Sequence, residues 1–111
     1  MALFITQGRF TQDAVKGMIA KPEDRAESVA QLFASAGGKL LSYYMTFGEY
    51  DFLIVSECPI DGAATLAVAA AASGGVKDLK TTLAFSSVHM KAAFGGAGAI
   101  AAKFKSAGVK A

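Results

Sequence analysis

Leu40-Leu41-Ser42-Tyr43-Tyr44-Met45-Thr46-Phe47, then Gly48-Glu49-Tyr50-Asp51, then Phe52-Leu53-Ile54-Val55-Ser56, read in order as strand, turn and strand. Aromatic and β-branched residues dominate both runs, and a glycine-first turn between such runs signals a hairpin. A two-residue loop at Gly48-Glu49 pairs Phe47 with Tyr50, Met45 with Phe52 and Tyr43 with Ile54 on one face. Thr46 with Asp51, Tyr44 with Leu53, and Leu40 with Glu57 share the other, because side chains alternate with period two. The first face is almost wholly apolar and belongs under helices. The second mixes tyrosine, hydroxyls and carboxylates with leucine and valine.

Working outward, Ala2 to Phe10 reads as a first strand. Thr11 is placed to cap a short helix, and Asp13 favours its dipole. Gly17 weakens that helix, and Pro22 restarts it with Glu23 and Asp24 as an acidic first turn. Ala26, Val29, Ala30 and Phe33 recur at i, i+3, i+4 and i+7 as one apolar stripe, and Gly37-Gly38 ends the helix. Beyond the hairpin, Pro59 stops the third strand and Asp61 reads as the N-cap of a helix to about Ser73. Its many alanines favour helix and close packing on a sheet. Val76 to Ser86 is the last strand. Ser86 or Ser87 caps a short helix through Phe94, and Gly95-Gly96-Ala97-Gly98 reads as a flexible break before a lysine-bearing tail.

The order is β-α-β-β-α-β. Right-handed crossovers place both helices on one face of a four-stranded antiparallel sheet, an α+β ferredoxin-like arrangement. The bare second face then carries Leu40, Tyr44, Leu53 and Val55, so the chain is expected to pair with itself through that face, as a homodimer or larger oligomer. The expected division is a folded domain over residues 1–88 and a C-terminal helix and tail over residues 89–111.

Several of these segments together resemble the GYD domain family: Phe10-Thr11-Gln12, Arg25-Ala26-Glu27, Gly37-Gly38-Lys39-Leu40, Tyr44, Gly48-Glu49-Tyr50-Asp51-Phe52 and Thr81-Thr82-Leu83-Ala84-Phe85. The resemblance covers roughly Met1 to Val88 and implies a ferredoxin-like domain of the dimeric α+β barrel type, without an established general activity. A more distant similarity is to the effector-binding domain of Lrp/AsnC-type regulators, which has the same element order and a Gly-x-Tyr-Asp turn near a subunit interface where small effectors bind. No segment of this sequence resembles the DNA-binding part of those regulators, so a stand-alone module is the expectation.

Composition narrows the classes further. With 111 residues the chain has room for one core, and 53% of its residues are hydrophobic. No apolar run reaches the about 20 residues of a membrane span, so no membrane partner is expected. A net charge of +2 is too small to imply nucleic acid. Lys91, Lys103, Lys105 and Lys110 gather after the last acidic residue, Asp78, and read as a solvated tail. One cysteine, Cys58, excludes an internal disulfide, and one histidine, His89, argues against a metal site. No export signal is apparent, so the cytoplasm is the expected compartment and no cofactor is implied.

The candidate ligand-binding residues are Tyr44, Gly48, Tyr50 and Asp51, the one place where carboxylates meet a tyrosine cluster. A turn carboxylate also commonly binds backbone N–H groups and holds the turn's shape. Arg25 could grip a carboxylate or phosphate, or pair at the surface with Asp24, Glu27 or Glu49. The expected activity is a small-molecule-binding or sensory module. The alternative is a cofactor-independent isomerase or monooxygenase-like enzyme, in which Asp51 or His89 moves a proton while Tyr44 or Tyr50 orients the substrate. His89 as an axial haem ligand is the weaker reading beside simple exposure, and Cys58 reads as a buried small apolar residue.

Overall fold

The computed structural model describes residues 1–108, so Lys110 lies outside the described residues. The elements are β1 (Ala2–Phe10), α1 (Gln12–Ala20), α2 (Ala26–Ser35), β2 (Lys39–Met45), β3 (Phe52–Cys58), α3 (Ile60–Ala72), β4 (Val76–Ala84) and α4 (Ser87–Ala101). The strands form one antiparallel sheet in the order β2-β3-β1-β4, the ferredoxin-like arrangement expected from the element order. The alternation of β3 is unbroken: Phe52, Ile54, Ser56 and Cys58 are buried, and Leu53, Val55 and Glu57 between them are not. Phe4, Phe33, Phe52, Ile54, Cys58 and Leu66 form the core, so α2 and α3 share one face of the sheet.

Local chemistry sets the helix ends. Thr11 accepts the Ala14 N–H at 3.2 Å and starts α1 as expected. Helix α2 starts at Ala26 rather than Pro22, with Arg25 at its N-cap position, and just before it the Asp24 carboxylate accepts the Ala26 N–H at 2.9 Å. At the other end Gly37 (φ 76°) donates to the Ala34 carbonyl and Gly38 to that of Phe33, a Schellman ending. Helix α3 starts at Ile60, one residue before the expected cap, with Asp61 in its first turn.

Two expectations fail in the sheet. Met45–Phe52, Tyr43–Ile54 and Tyr44–Leu53 pair as expected, but a bulge between Leu40 and Ser42 sets Leu40 opposite Ser56 and Lys39 opposite Glu57. The extra residue, Leu41, shifts everything before it by one place. Leu40 therefore packs on the helix-side core, and Leu3, Ile5, Leu53, Val55 and Tyr44 make up the apolar part of the open face. The hairpin turn is also longer than two residues. Thr46 N–H donates to the Asp51 carbonyl and its hydroxyl to that of Tyr50, leaving Phe47 fully exposed instead of under the helices.

The glycines after Phe94 do not break the chain. Ser86 caps α4 by accepting the His89 N–H, and the helix runs through Gly95, Gly96 and Gly98 to Ala101. Glycine weakens a helix by about 1 kcal/mol per residue but forbids nothing, and the alanines between them are the strongest helix formers. No α4 residue is buried, and the molecule extends to 64 Å along its longest axis.

Candidate functional site

The Gly48–Asp51 turn is fastened to the end of β1. Asp51 Oδ2 accepts the Phe10 N–H at 2.9 Å and the Asp51 N–H donates to the Gly8 carbonyl at 2.8 Å, just past the last β1–β3 pair, Gly8 with Phe52. Arg9 Nε donates to the Glu49 carbonyl at 2.7 Å, its guanidinium lies 5.2 Å from the centre of the Tyr50 ring, and NH1 meets Asp78 at 3.1 Å. Gly48 has φ 147°, a conformation that L side chains rarely adopt. The fold thus brings Gly48, Tyr50 and Asp51 together with Arg9. Tyr44 stands on the open sheet face, opposite Leu53 and 61% exposed. None of these four candidates lines either of the two hollows on the helix side.

A partly enclosed space lies on the helix side. Helix α2 stands over β2 and α3 over β4, so the central strands β3 and β1 are left as the floor of a gap between the helices. The gap is an apolar cavity of about 260 Å³. Phe4, Thr6, Phe52, Ile54 and Ser56 form its floor. Val29, Leu32 and Phe33 line one wall, and Ala63, Leu66, Ala67 and Ala70 the other. The alanines of α3 were expected to bring it close onto the sheet. The close approach is made instead by a glycine in its first turn: a Cβ on Gly62 would stand 2.6 Å from the Ala36 carbonyl and 3.1 Å from Cys58 Sγ. Further along, the short alanine side chains leave the space unfilled.

One end is therefore closed by the Gly62–Cys58 contact and the other is open. At the open end a second hollow of about 370 Å³ adjoins the first, and Phe10, Arg25, Ser73 and Val76 line both. Arg25 is half-exposed and its NH1 meets Glu23 Oε1 at 2.8 Å, not the acidic partners expected from sequence. Burial pushes the Tyr43 hydroxyl up from its ordinary range. The Arg25 charge opposes that shift and Asp24 adds to it, which places the guanidinium within electrostatic reach of the phenol. Toward the closed end Ser56 is 1% exposed, and its Oγ has no hydrogen-bond partner. Thr6 and Thr81, also on the lining, share a hydrogen bond of 3.3 Å.

Sequence reasoning passed over Ser56. The signal was present: it is the one hydroxyl among the inward positions of β3, between Ile54 and Cys58. Cys58 is fully buried, as expected, and burial raises its thiol above the usual range. His89 is exposed on α4 and packs edge-on to Phe85 with ring centres 4.9 Å apart. Among the described residues no group of three or more His, Cys, Asp or Glu is placed to hold a metal ion.

Fold and site together define a ferredoxin-like α+β domain with an apolar chamber between its sheet and helices. The chain belongs to the GYD domain family, whose model matches residues 4–94 and so ends within α4. No curated protein and no solved structure matches it. Among the described residues no helix is long and apolar enough to cross a membrane.

Proposed function

We propose that this protein is a small-molecule-binding or sensory module that acts as a homo-oligomer. The observation that carries the reading is the apolar cavity with an unpartnered hydroxyl in its floor. Protein interiors are otherwise close-packed, and a buried hydroxyl is ordinarily bonded, so both features call for an occupant. Binding is favoured over proton-transfer catalysis because the cavity lining holds no carboxylate or imidazole. Asp51 is engaged with the Phe10 amide, and His89 lies on α4.

Self-association is assigned to the open sheet face, where Leu3, Ile5, Leu53 and Val55 lie beside exposed Tyr44. Burying apolar area gains about 25 cal/mol per Å², so a second copy covering this face would stabilise both. A single buried thiol without a disulfide partner is consistent with work in the cytoplasm.

The test is a calorimetric and thermal-shift screen of small apolar metabolites against the wild type and two variants that fill the cavity, Ala67→Phe and Ala70→Leu. Ligands that stabilise the wild type and fail to bind folded variants support the reading. Absence of any ligand, or equal binding by the filled variants, refutes it. Light scattering reads the oligomer independently: Leu53→Asp should yield monomers, and a monomeric wild type would remove the self-association.

A further inference from the structure

We infer that the cavity takes a single-ring aromatic acid. Its carboxylate meets Arg25 at the open end, its ring lies over the central strands, and a hydrogen-bonding substituent opposite the carboxylate meets Ser56. This inference rests on the binding reading above and adds the chemistry of the ligand.

Size sets the first limit. An apolar cavity of about 150 Å³ holds benzene, and sites for drug-sized molecules begin at about 300 Å³. A space of about 260 Å³ therefore admits one substituted ring.

Shape and lining set the second. Phe4, Phe10, Phe33, Phe52 and Tyr43 surround the space, and Phe10 and Phe52 already pack tilted with centres 5.2 Å apart. A ring gains edge-to-face contacts there that an alkyl chain cannot make.

Polarity sets the third, because the charged group and the unpartnered hydroxyl of the lining stand toward opposite ends. Arg25 shares the open end with Phe10, Ser73 and Val76. Ser56 lies four residues along β3 from Phe52, roughly 13 Å by strand rise, toward the closed end at Cys58.

The charges agree with an anion. A guanidinium has five N–H donors, and the Glu23 contact occupies NH1, which leaves Nε and NH2 for a carboxylate. Glu23 lines only the adjoining hollow, and Asp24 lines neither space, so a bound acid meets no negative side chain inside the cavity. At the far end a ligand hydroxyl would give the Ser56 Oγ the partner it lacks.

The experiment is calorimetry on the full chain with 4-hydroxybenzoate, benzoate, p-cresol and octanoate, with the bound site located by amide chemical shifts. The wild type should bind 4-hydroxybenzoate at least about tenfold more tightly than p-cresol, the effect of one charge-assisted contact. Arg25→Gln should erase that preference. Ser56→Ala should weaken 4-hydroxybenzoate about fivefold, the scale of one neutral hydrogen bond, and leave benzoate unchanged. Shifts should centre on Phe52, Ile54 and Ser56.

Equal affinity for p-cresol overturns the acid, and stronger binding of octanoate overturns the ring. Shifts confined to Tyr50 and Asp51 overturn the location. If no probe binds, while the broader screen finds a ligand excluded by Ala67→Phe, the ligand class fails and the binding reading stands. If the screen also finds nothing, both fall.

Discussion

Replacing Gly62 by alanine sets helix propensity against packing, and the structure says which wins. Alanine is favoured over glycine by about 0.8–1.0 kcal/mol inside a helix, and Gly62 lies in the first turn of α3, where the gain is at most that. Against it, the added Cβ would stand 2.6 Å from the Ala36 carbonyl oxygen and 3.1 Å from the buried Cys58 sulfur. Neither neighbour is the free end of a flexible chain, so α3 must move away from α2, and overpacking of this kind costs about 1–3 kcal/mol. The expected net loss is about 1 kcal/mol, a fall in melting temperature of about 4 °C for a domain of this size. Gly17→Ala is the control, because nothing lies within 4 Å of its Cβ position. That variant should gain up to about 1 kcal/mol and melt higher. Urea and thermal unfolding followed by circular dichroism, at one fixed protein concentration because self-association would shift the midpoint, read both. Gly62→Ala melting as high as Gly17→Ala would show that α3 is not anchored at its first turn, and the closed end of the cavity would lose its physical basis.

Asp51→Ala should cost about 1.5–3 kcal/mol, the range for a hydrogen bond to a charged group, because the Phe10 N–H loses its acceptor. Asp51→Asn keeps an acceptor and should lose less; equal losses in urea denaturation would deny the role given to that bond. Cys58 should resist thiol reagents in the native state and react at the rate of unfolding, since it is fully buried; rapid native labelling would contradict this. The pH dependence has a definite sign. Burial raises both the Cys58 thiol and the Tyr43 phenol in the folded state, so both neutral forms are favoured by folding. Stability should be full below the unfolded thiol range and fall as alkaline pH rises through the folded values. Cys58→Ala should delay that fall until Tyr43 ionises, and a flat alkaline profile in the wild type would refute it.

What was legible in the sequence was written in contiguous residues. Alternation along Phe52–Cys58, the stripe Ala26, Val29, Ala30 and Phe33, the Thr11 cap and the Gly37-Gly38 ending each depend on neighbours a few positions apart. Element order followed from these, and element order was enough for the fold. The turn was also legible as a landmark, since Gly48, Tyr50 and Asp51 do gather at one place. The placement of Leu40 was not, because one bulged residue at Leu41 reverses the face of all that precedes it, and period-two counting cannot see an insertion. The chamber was least legible of all. It exists because Gly62 holds one end of α3 against Cys58 and Ala36 while Ala67 and Ala70 fail to fill the gap that Val29 and Phe33 face from α2. The width of that gap is set by side-chain volumes from segments far apart in the chain. Only the packed layers could show that Ser56, one hydroxyl in an apolar alternation, has no partner of its own.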